Sequence, residues 1–295
     1  MSGLMQGKRG LVMGVANDHS IAWGIAKKLA DEGAELAFTY QGEAFGKRVR
    51  PLADSVHSKL LLPCDVEDVA SVDAVFAALK AAWGRLDFLV HAIAFSDKNE
   101  LKGRYADTSR DNFVRTMVIS CFSFTEIAKR AAGLMTSGGA MVTLTYGGSN
   151  RVMPNYNVMG VAKAALESSV RYLAMDFGAD GVRVNAISAG PIRTLAGSGV
   201  SDARLMFNFQ KRNSPLARTV SIEEIGGTAA YLLSDLSAGV TGEVHFVDSG
   251  YNIVSMPRLD ELKVQESREN QGAPDEPVAR RNGSGDPVAR RNAAE

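Results

Sequence analysis

The sequence has few cysteines, no excess of either charge and no long apolar segment, and each absence excludes a class of protein. Its two cysteines, Cys64 and Cys121, lie far apart in a chain of 295 residues, which excludes a disulfide framework and a cysteine-based zinc site. Basic and acidic residues number 33 each, so we expect no nucleic-acid partner. No apolar run reaches the roughly 18 residues of a membrane helix, and the N-terminus lacks a secretory apolar region. The default prediction is a soluble, cytoplasmic protein.

The end of the chain differs in composition from the rest. From residue 256 onward it has no aromatic residue and contains four of the nine prolines. It also repeats itself, with DEPVARRN at 275–282 followed by DPVARRN at 286–292. Such a segment buries too little apolar surface to offset its ordering entropy. We therefore expect one catalytic domain over 1–255 and a mostly disordered tail over 256–295.

Short β-rich runs alternate with helical patterns through the first 255 residues. Between the first two runs, Ile21, Ile25 and Leu29 recur at every fourth position, as in an amphipathic helix. The alternation predicts a doubly wound α/β fold of Rossmann type, with a seven-stranded parallel sheet flanked by helices on both faces. Ligands of such sheets bind beyond the carboxyl ends of the strands. The predicted strands are 10–15, 34–40, 59–64, 86–94, 140–146, 182–188 and 243–247.

The turn after the first strand predicts a dinucleotide site. Gly14 allows a tight turn, Ser20 can cap the next helix, and the N-terminus of that helix attracts a pyrophosphate. Gly24 is expected to let helix and strand pack closely. The segment is not a GxGxxG motif, so the surrounding alternation is what favours a dinucleotide over an ordinary turn.

Two residues at the ends of the second and third strands are candidates for binding adenosine. Gln41 stands where NAD-binding proteins commonly place an acid on the ribose. A neutral side chain does not repel a 2′-phosphate, so charge does not decide between NADH and NADPH. Lys47 and Arg48 are interpreted as a solvated helix face rather than a phosphate site. Asp65 either accepts a hydrogen bond from adenine or caps the following helix, and the sequence favours neither.

The segments after the fourth and sixth strands complete the predicted site. Small residues at 92–94 leave room for a cofactor, and His91 is interpreted as a core residue rather than a proton carrier. The backbone of Ile192 can bond a carboxamide, and Thr194 can bond a phosphate. Residues 195–213 combine a glycine-rich stretch with an apolar helix, which suits a lid over an apolar substrate. A helix packed on the core is the close alternative.

The strongest signal follows the fifth predicted strand. Tyr146 ends that strand, and Tyr156 and Lys163 lie seven residues apart further on. Both side chains are expected on one helix face, roughly 10 Å apart along the axis. The lysine can bind ribose hydroxyls and favour nearby negative charge, and the tyrosine can donate to a developing oxyanion. The alternative, a stacked aromatic and a surface lysine, is disfavoured by Tyr146.

These motifs resemble the divergent short-chain dehydrogenase/reductases, specifically the bacterial NADH-dependent enoyl-[acyl-carrier-protein] reductases of type II fatty-acid synthesis. Ordinary members of the superfamily have three residues between Tyr and Lys, whereas here six intervene and position 160 is Gly. The likeness covers about residues 5–258 and places Ser96 near the acyl chain. It implies cofactor contacts from Gly14, Ser20, Ile21, Gln41, Asp65, Val66, Ile93, Lys163, Ile192, Arg193, Thr194, Leu195 and Ala196.

The resemblance also implies a reaction. NADH, favoured over NADPH, would reduce the double bond of a trans-2-enoyl thioester, and Tyr156 would donate to the enolate oxygen. Lys163 would hold the nicotinamide ribose, and Tyr146 would line the site or assist proton supply. The family forms tetramers with 222 symmetry, so a homotetramer is expected. The acidic acyl carrier protein would dock on basic residues beside the lid, namely Arg193, Arg204, Lys211 and Arg212.

Two other functions stay open on the sequence alone. One is a related reductase acting on a ketone or alcohol, which the Tyr–Lys spacing and Tyr146 disfavour. The other is a non-catalytic dinucleotide sensor, which would not need Tyr156. The sequence departs from the family pattern at Ala94, Ser96 and 147–150, near the expected acyl site, and a paralogue with an altered substrate would differ there. A G-x-S-x-G hydrolase motif and an HExxH metal motif are absent from the sequence.

Overall fold

The computed structural model describes residues 3–192, 203–260 and 262–263. The chain divides into two units, Met1–Val254 and Ser255–Glu295, and the sheet belongs to the first. In the second, the described residues include one helical-turn hydrogen bond, from the Leu262 amide to the Arg258 carbonyl. The predicted disorder of 256–295 falls mostly outside the described residues and stays a prediction.

The described part of the first unit contains a seven-stranded sheet, and every neighbouring pair of strands is parallel. The strand order is β3-β2-β1-β4-β5-β6-β7, so the order reverses between β1 and β4. The predicted doubly wound fold is confirmed. The strands are β1 Arg9–Met13, β2 Glu35–Tyr40, β3 Leu60–Pro63, β4 Phe88–His91, β5 Gly139–Thr145, β6 Val182–Ala189 and β7 Val244–Val247.

Helices cover both faces of the sheet because successive strand residues point to opposite sides. Leu11 and Leu89 pack in one core with α3, α5 and α6, whereas Val12 and Val90 pack in the other with α1, α2 and α8. The described helices are α1 Ile21–Asp31, α2 Gly42–Ser55, α3 Val69–Trp83, α4 Arg110–Met117, α5 Ser123–Ala132, α6 Asn157–Gly178, α7 Ala203–Asn213 and α8 Ile222–Leu233.

Close packing between α1 and α8 depends on two glycines. A Cβ added at Gly24 would lie 2.6 Å from the Ile222 Cβ, and one added at Gly226 would lie 2.7 Å from the Gly24 carbonyl oxygen. The prediction that Gly24 serves helix–strand packing is therefore wrong, since its close neighbour is another helix. The sequence separation of nearly two hundred residues hid this contact.

A π-helical turn, Val118–Phe122, joins α4 to α5 in one helical run. On this run the Ser120 hydroxyl accepts from the Phe95 amide and donates to the Phe95 carbonyl, both at 2.9 Å. The Ser123 hydroxyl lies 3.0 Å from His91 Nε2. The run therefore holds the loop that follows β4.

Among the described residues, no helix combines the length and apolarity needed to cross a membrane.

Candidate active site

The turns after β1 and β4 meet at the carboxyl edge of the sheet, where the strand order reverses. Gly14 follows β1 with φ +99°, and a Cβ added there would lie 2.1 Å from the Ala92 carbonyl oxygen. Only glycine fits this backbone conformation and this close approach. The two turns therefore form one crevice, the place where doubly wound folds bind ligands.

The turn after β1 presents the N-terminus of α1 to this crevice. Ser20 occupies the N-cap position, but its hydroxyl makes no capping bond to α1. It accepts instead from the Ala16 and Asn17 amides, each at 3.0 Å, so the predicted capping role is wrong and the serine shapes the turn. The first amides of α1, at Ile21 and Ala22, have no acceptor inside the helix. Together with the helix dipole they suit an anionic group.

The candidate adenosine residues lie next to each other. Gln41 Nε2 donates to Asp65 Oδ2 at 3.1 Å, and Val66 is buried beside them. Asp65 does not cap α3, because the N-cap is Asp68, whose side chain accepts from the Ala70 amide. One of the two interpretations of Asp65 is thus excluded. Its contact with adenine stays a prediction.

His91 is a core residue, as the sequence analysis favoured. It is fully buried, and its Nδ1 lies 3.1 Å from the Thr143 hydroxyl. Burial lowers the pKa of His91 to about 3, and the nearby charge of Lys163 lowers it further. The neutral imidazole holds the end of β4, from which half-buried Ile93 continues into the crevice.

Ser96 turns its hydroxyl toward α4. It accepts from the Thr116 hydroxyl at 2.9 Å and lies 3.3 Å from Asn112 Oδ1. Asn112 Oδ1 also accepts from the Asp97 amide at 3.0 Å. This polar cluster fixes the loop, and the predicted contact of Ser96 with substrate remains a prediction.

Tyr156 stands just before α6 rather than inside it. The helix begins at Asn157, and both Asn155 and Asn157 have positive φ, at 58° and 34°. The predicted helical register between Tyr156 and Lys163 is therefore wrong at its first residue. A β-carbon added at Gly148 would lie 2.5 Å from Tyr156 Cδ1, so the turn after β5 packs tightly against the ring.

Gly160 explains why a lysine four residues after the tyrosine does not fit here. A Cβ at position 160 would lie 2.7 Å from the Gly148 carbonyl oxygen. Any side chain would push the turn away from α6. Lys163 is instead the lysine that α6 directs at the carboxyl end of β5.

Lys163 is buried and points at the sheet. Its side chain is 6% exposed, and Nζ donates to the Leu144 carbonyl at 2.8 Å. Burial lowers the pKa of Lys163 to about 8, and Cys121 and Glu167 oppose that shift. The group is mostly an ammonium at neutral pH.

Tyr146 and Tyr156 meet edge to face. Their ring centroids are 5.3 Å apart, with an angle of 73° between the planes. Burial raises the pKa of both hydroxyls above the usual tyrosine value, so both are neutral donors at physiological pH. Within the part of the chain that the structure describes, the Tyr156 hydroxyl has no hydrogen-bond partner, which leaves it available to a ligand.

Two residues near this pair were missed by the sequence analysis. Gln210 of α7 donates from Nε2 to the Tyr146 hydroxyl at 2.7 Å. Arg151 donates to the carbonyls of Asn252 and Val254, which holds the segment after β7 near the site. No local signal marked Gln210, because α7 carries other polar residues, such as Asn208 and Lys211. No local signal marked Arg151.

The segment after β6 is described only in part. Ile192 is half-buried and packs against the core on the α1 side of the sheet. Arg193, Thr194, Leu195 and Ala196 lie outside the described residues, as does the first part of the predicted lid, so their predicted contacts remain predictions. The described part of that lid is α7.

A doubly wound sheet with a donor tyrosine and a buried lysine at its carboxyl edge defines a dinucleotide-dependent oxidoreductase of the short-chain dehydrogenase/reductase type. Known proteins agree with this class. A family model described as Enoyl-(Acyl carrier protein) reductase matches residues 14–252. The chain belongs to the enoyl-[acyl-carrier-protein] reductase family.

Several relatives cover nearly the whole chain. Enoyl-[acyl-carrier-protein] reductase [NADH] 2 of Rhizobium meliloti is 76% identical over 267 residues, which is 90% of this chain and 100% of that protein. The crystal structure of FabI from Candidatus Liberibacter asiaticus is 64% identical with a TM-score of 0.86, covering 88% of this chain and 100% of that one. The reductase from Anaplasma phagocytophilum, solved in complex with NAD, is 58% identical with a TM-score of 0.85, covering 88% and 99%.

The residues described here fit NADH. The amides at the start of α1 suit its pyrophosphate, and the missing side chain at Gly14 lets the turns after β1 and β4 approach each other closely. The neutral Gln41 at the end of β2 suits the adenosine ribose. These residues do not distinguish NADH from NADPH, but the relatives do, and the cofactor is NADH.

Proposed function

We propose that Tyr156 and Lys163 carry the reaction of this enoyl-[acyl-carrier-protein] reductase, the NADH-dependent reduction of the trans-2 double bond of enoyl thioesters. The proposal rests on two side chains near the carboxyl end of β5: a neutral tyrosine hydroxyl without a partner among the described residues, and a buried ammonium. The substrate is the enoyl thioester of acyl carrier protein in type II fatty-acid biosynthesis.

The residues of the chain stabilise the charge that the reaction creates. When bound, NADH supplies the hydride that reaches the β-carbon of the enoyl group. Tyr156 donates a hydrogen bond to the thioester oxygen, which becomes an enolate oxygen. Because burial raises the pKa of Tyr156, its hydroxyl keeps its proton and acts as a donor. Lys163 holds the ribose hydroxyls and adds positive charge in a region of low dielectric, where that charge acts strongly.

The remaining predicted site residues are assigned to the cofactor and to the acyl chain. Gly14, Ser20 and Ile21 form the pyrophosphate end, while Gln41, Asp65 and Val66 form the adenosine end. The predicted contacts of Ile93, Ile192 and 193–196 with the nicotinamide half complete the cofactor site. Ser96 and Tyr146 are assigned to the acyl side.

The carrier protein is proposed to dock beside α7. Arg204, Lys211 and Arg212 are exposed on that helix, and acyl carrier protein is acidic, so attraction of opposite charges brings it to the site. Arg193 belongs to the same proposal and lies outside the described residues. Neutralising the three described residues is expected to raise KM for carrier-bound substrate and to spare coenzyme A thioesters. An equal effect on both substrates would contradict this docking site.

A homotetramer is proposed on the resemblance and on an apolar stripe of α6. Val161, Tyr172 and Met175 are 37%, 73% and 83% exposed, on the helix face turned away from the buried residues. An apolar stripe of this kind suits a subunit contact. Sedimentation analysis of Tyr172→Glu should show smaller assemblies than the wild type. The expected location in the cytoplasm stays a prediction.

The reaction is tested by following the loss of NADH absorbance with a trans-2-enoyl thioester, carrier-bound and coenzyme A forms in parallel. Tyr156→Phe is expected to lower kcat by about 10²-fold or more, because it removes one oxyanion donor. NADH binding, measured by fluorescence titration, should change little. A ketone or alcohol substrate should give no rate.

The matched control is Tyr105→Phe, since Tyr105 is exposed and is not among the predicted site residues. It should behave as the wild type. Tyr156→Phe with undiminished enoyl reduction would refute the assignment. A wild-type protein that binds NADH yet reduces neither thioester would favour the sensor alternative.

A further inference from the structure

Gln210 differs from its neighbours on α7 in being buried. It is 3% exposed, while Phe209 is 36% exposed and Lys211 is exposed as well. A buried amide side chain requires hydrogen-bond partners. The described partner is the Tyr146 hydroxyl, 64 residues earlier in the chain, which accepts from Gln210 Nε2 at 2.7 Å.

This bond determines what the Tyr146 hydroxyl can do. A tyrosine hydroxyl has one proton to donate and accepts through its lone pairs. Because the amide of Gln210 donates, it occupies the accepting side and leaves the proton free to point elsewhere. Burial raises the pKa of Tyr146, so that proton is retained at neutral pH. Tyr146 is therefore presented as a donor.

The orientation of Tyr146 also bears on Tyr156. The rings touch edge to face, with centroids 5.3 Å apart, and Tyr156 sits in a turn rather than in a helix. Aromatic pairs in this geometry restrain each other. A change in the position of the Tyr146 ring therefore changes the position of the Tyr156 ring.

We propose that Gln210 is a positioning residue, which holds the Tyr146 hydroxyl as a donor and thereby links the placement of α7 to the geometry of the tyrosine pair. The proposal rests on the function assigned above. It assigns to α7 a specific polar contact with the reaction site, in addition to its predicted role as a lid.

Gln210→Leu tests the contact, because leucine fills similar space without donating. In the wild-type background, kcat is expected to fall about 5- to 10-fold, the loss expected for one hydrogen bond, with little change in KM for NADH. In a Tyr146→Phe background the same substitution should have no further effect, because the acceptor is gone. Asn208→Leu on the same helix is the control and should be neutral in both backgrounds.

Gln210→Glu adds a readout that a merely structural role would not move. An ionised glutamate can only accept hydrogen bonds, so the Tyr146 hydroxyl would have to donate its hydrogen bond to the glutamate. A protonated glutamate can donate a hydrogen bond to Tyr146, as glutamine does. The activity of this variant is expected to fall as pH rises through the range in which the carboxyl ionises. The wild type should show no such step.

The outcomes separate the two proposals. The role of Gln210 would be overturned if Gln210→Leu slowed the reaction equally with and without the Tyr146 hydroxyl. It would also be overturned if the single variant had wild-type activity. Either result would leave enoyl reduction intact. Absence of enoyl reduction in the wild type would instead overturn the proposed function.

Discussion

Replacing Lys163 by methionine is expected to stabilise the folded protein while removing its activity. The lysine is 6% exposed and its pKa is lowered by burial to about 8, against roughly 10.4 in an unfolded chain. That difference corresponds to about 3 kcal/mol of folding free energy lost at pH 7 by keeping the ammonium charged. Losing the hydrogen bond to Leu144 offsets about 1 kcal/mol. The net expectation is a gain of about 2 kcal/mol.

The sign of the pH dependence provides a second check. Between about pH 8 and 10.4 the unfolded chain binds a proton at Lys163 that the folded protein has lost, so the contribution of Lys163 to wild-type stability rises with pH in that window. The methionine variant lacks this rise. Its advantage should therefore shrink as pH increases from 7 to 10.

Urea unfolding followed by tryptophan fluorescence measures both effects, at fixed protein concentration because subunit association adds to apparent stability. Lys80→Met, at an exposed site on α3, is the matched control and should show no comparable pH-dependent difference. A Lys163→Met variant that is less stable at pH 7, or whose advantage stays constant with pH, would refute the reasoning.

Two glycine-related substitutions extend these predictions. Gly24→Ala should lower the unfolding midpoint and weaken NADH binding severalfold, because the new Cβ meets Ile222 and displaces the start of α1. The control is Gly178→Ala, since Gly178 has open space around it. Equal behaviour of the two variants would contradict the packing argument. Ser249→Gly should stabilise by about 1 kcal/mol, because Ser249 has φ 59° and a buried hydroxyl without a partner among the described residues. Thermal unfolding tests this, and a lower midpoint for Ser249→Gly would count against it.

The sequence predicted the fold because strands and helices leave local, periodic signals. Each of the seven predicted runs contains an observed strand or overlaps most of one, and the family likeness agrees with the relatives. The positions of Tyr146, Tyr156 and Lys163 near one strand end followed from short-range spacing. The directions of side chains could not be predicted in this way. Ser20 points to its own loop, and Asp68 rather than Asp65 caps α3.

Contacts between elements distant in sequence were the main omissions. The approach of Gly24 to α8 and the bond from Gln210 to Tyr146 each join residues that are at least 64 positions apart in the chain. Hydrophobic periodicity shows which face of a helix is buried, but not which atoms of another element it meets. These contacts depend on how distant segments of the chain pack together.

The π-helical turn between α4 and α5 gives this helical run one residue more than a regular α-helix would hold. An α-helix rotates by about 100° per residue, so the residues in this turn fix the rotational phase of everything after it. With the present length, Ser120 reaches the loop after β4 and Ser123 reaches His91, while Phe124 enters the core. Because a π-helical turn holds about one residue more than an α-helical turn, deleting one residue there would close the run into regular α-helix and keep the phase of α5. Inserting a residue would instead rotate α5 by about 100° and present the wrong side chains to the sheet.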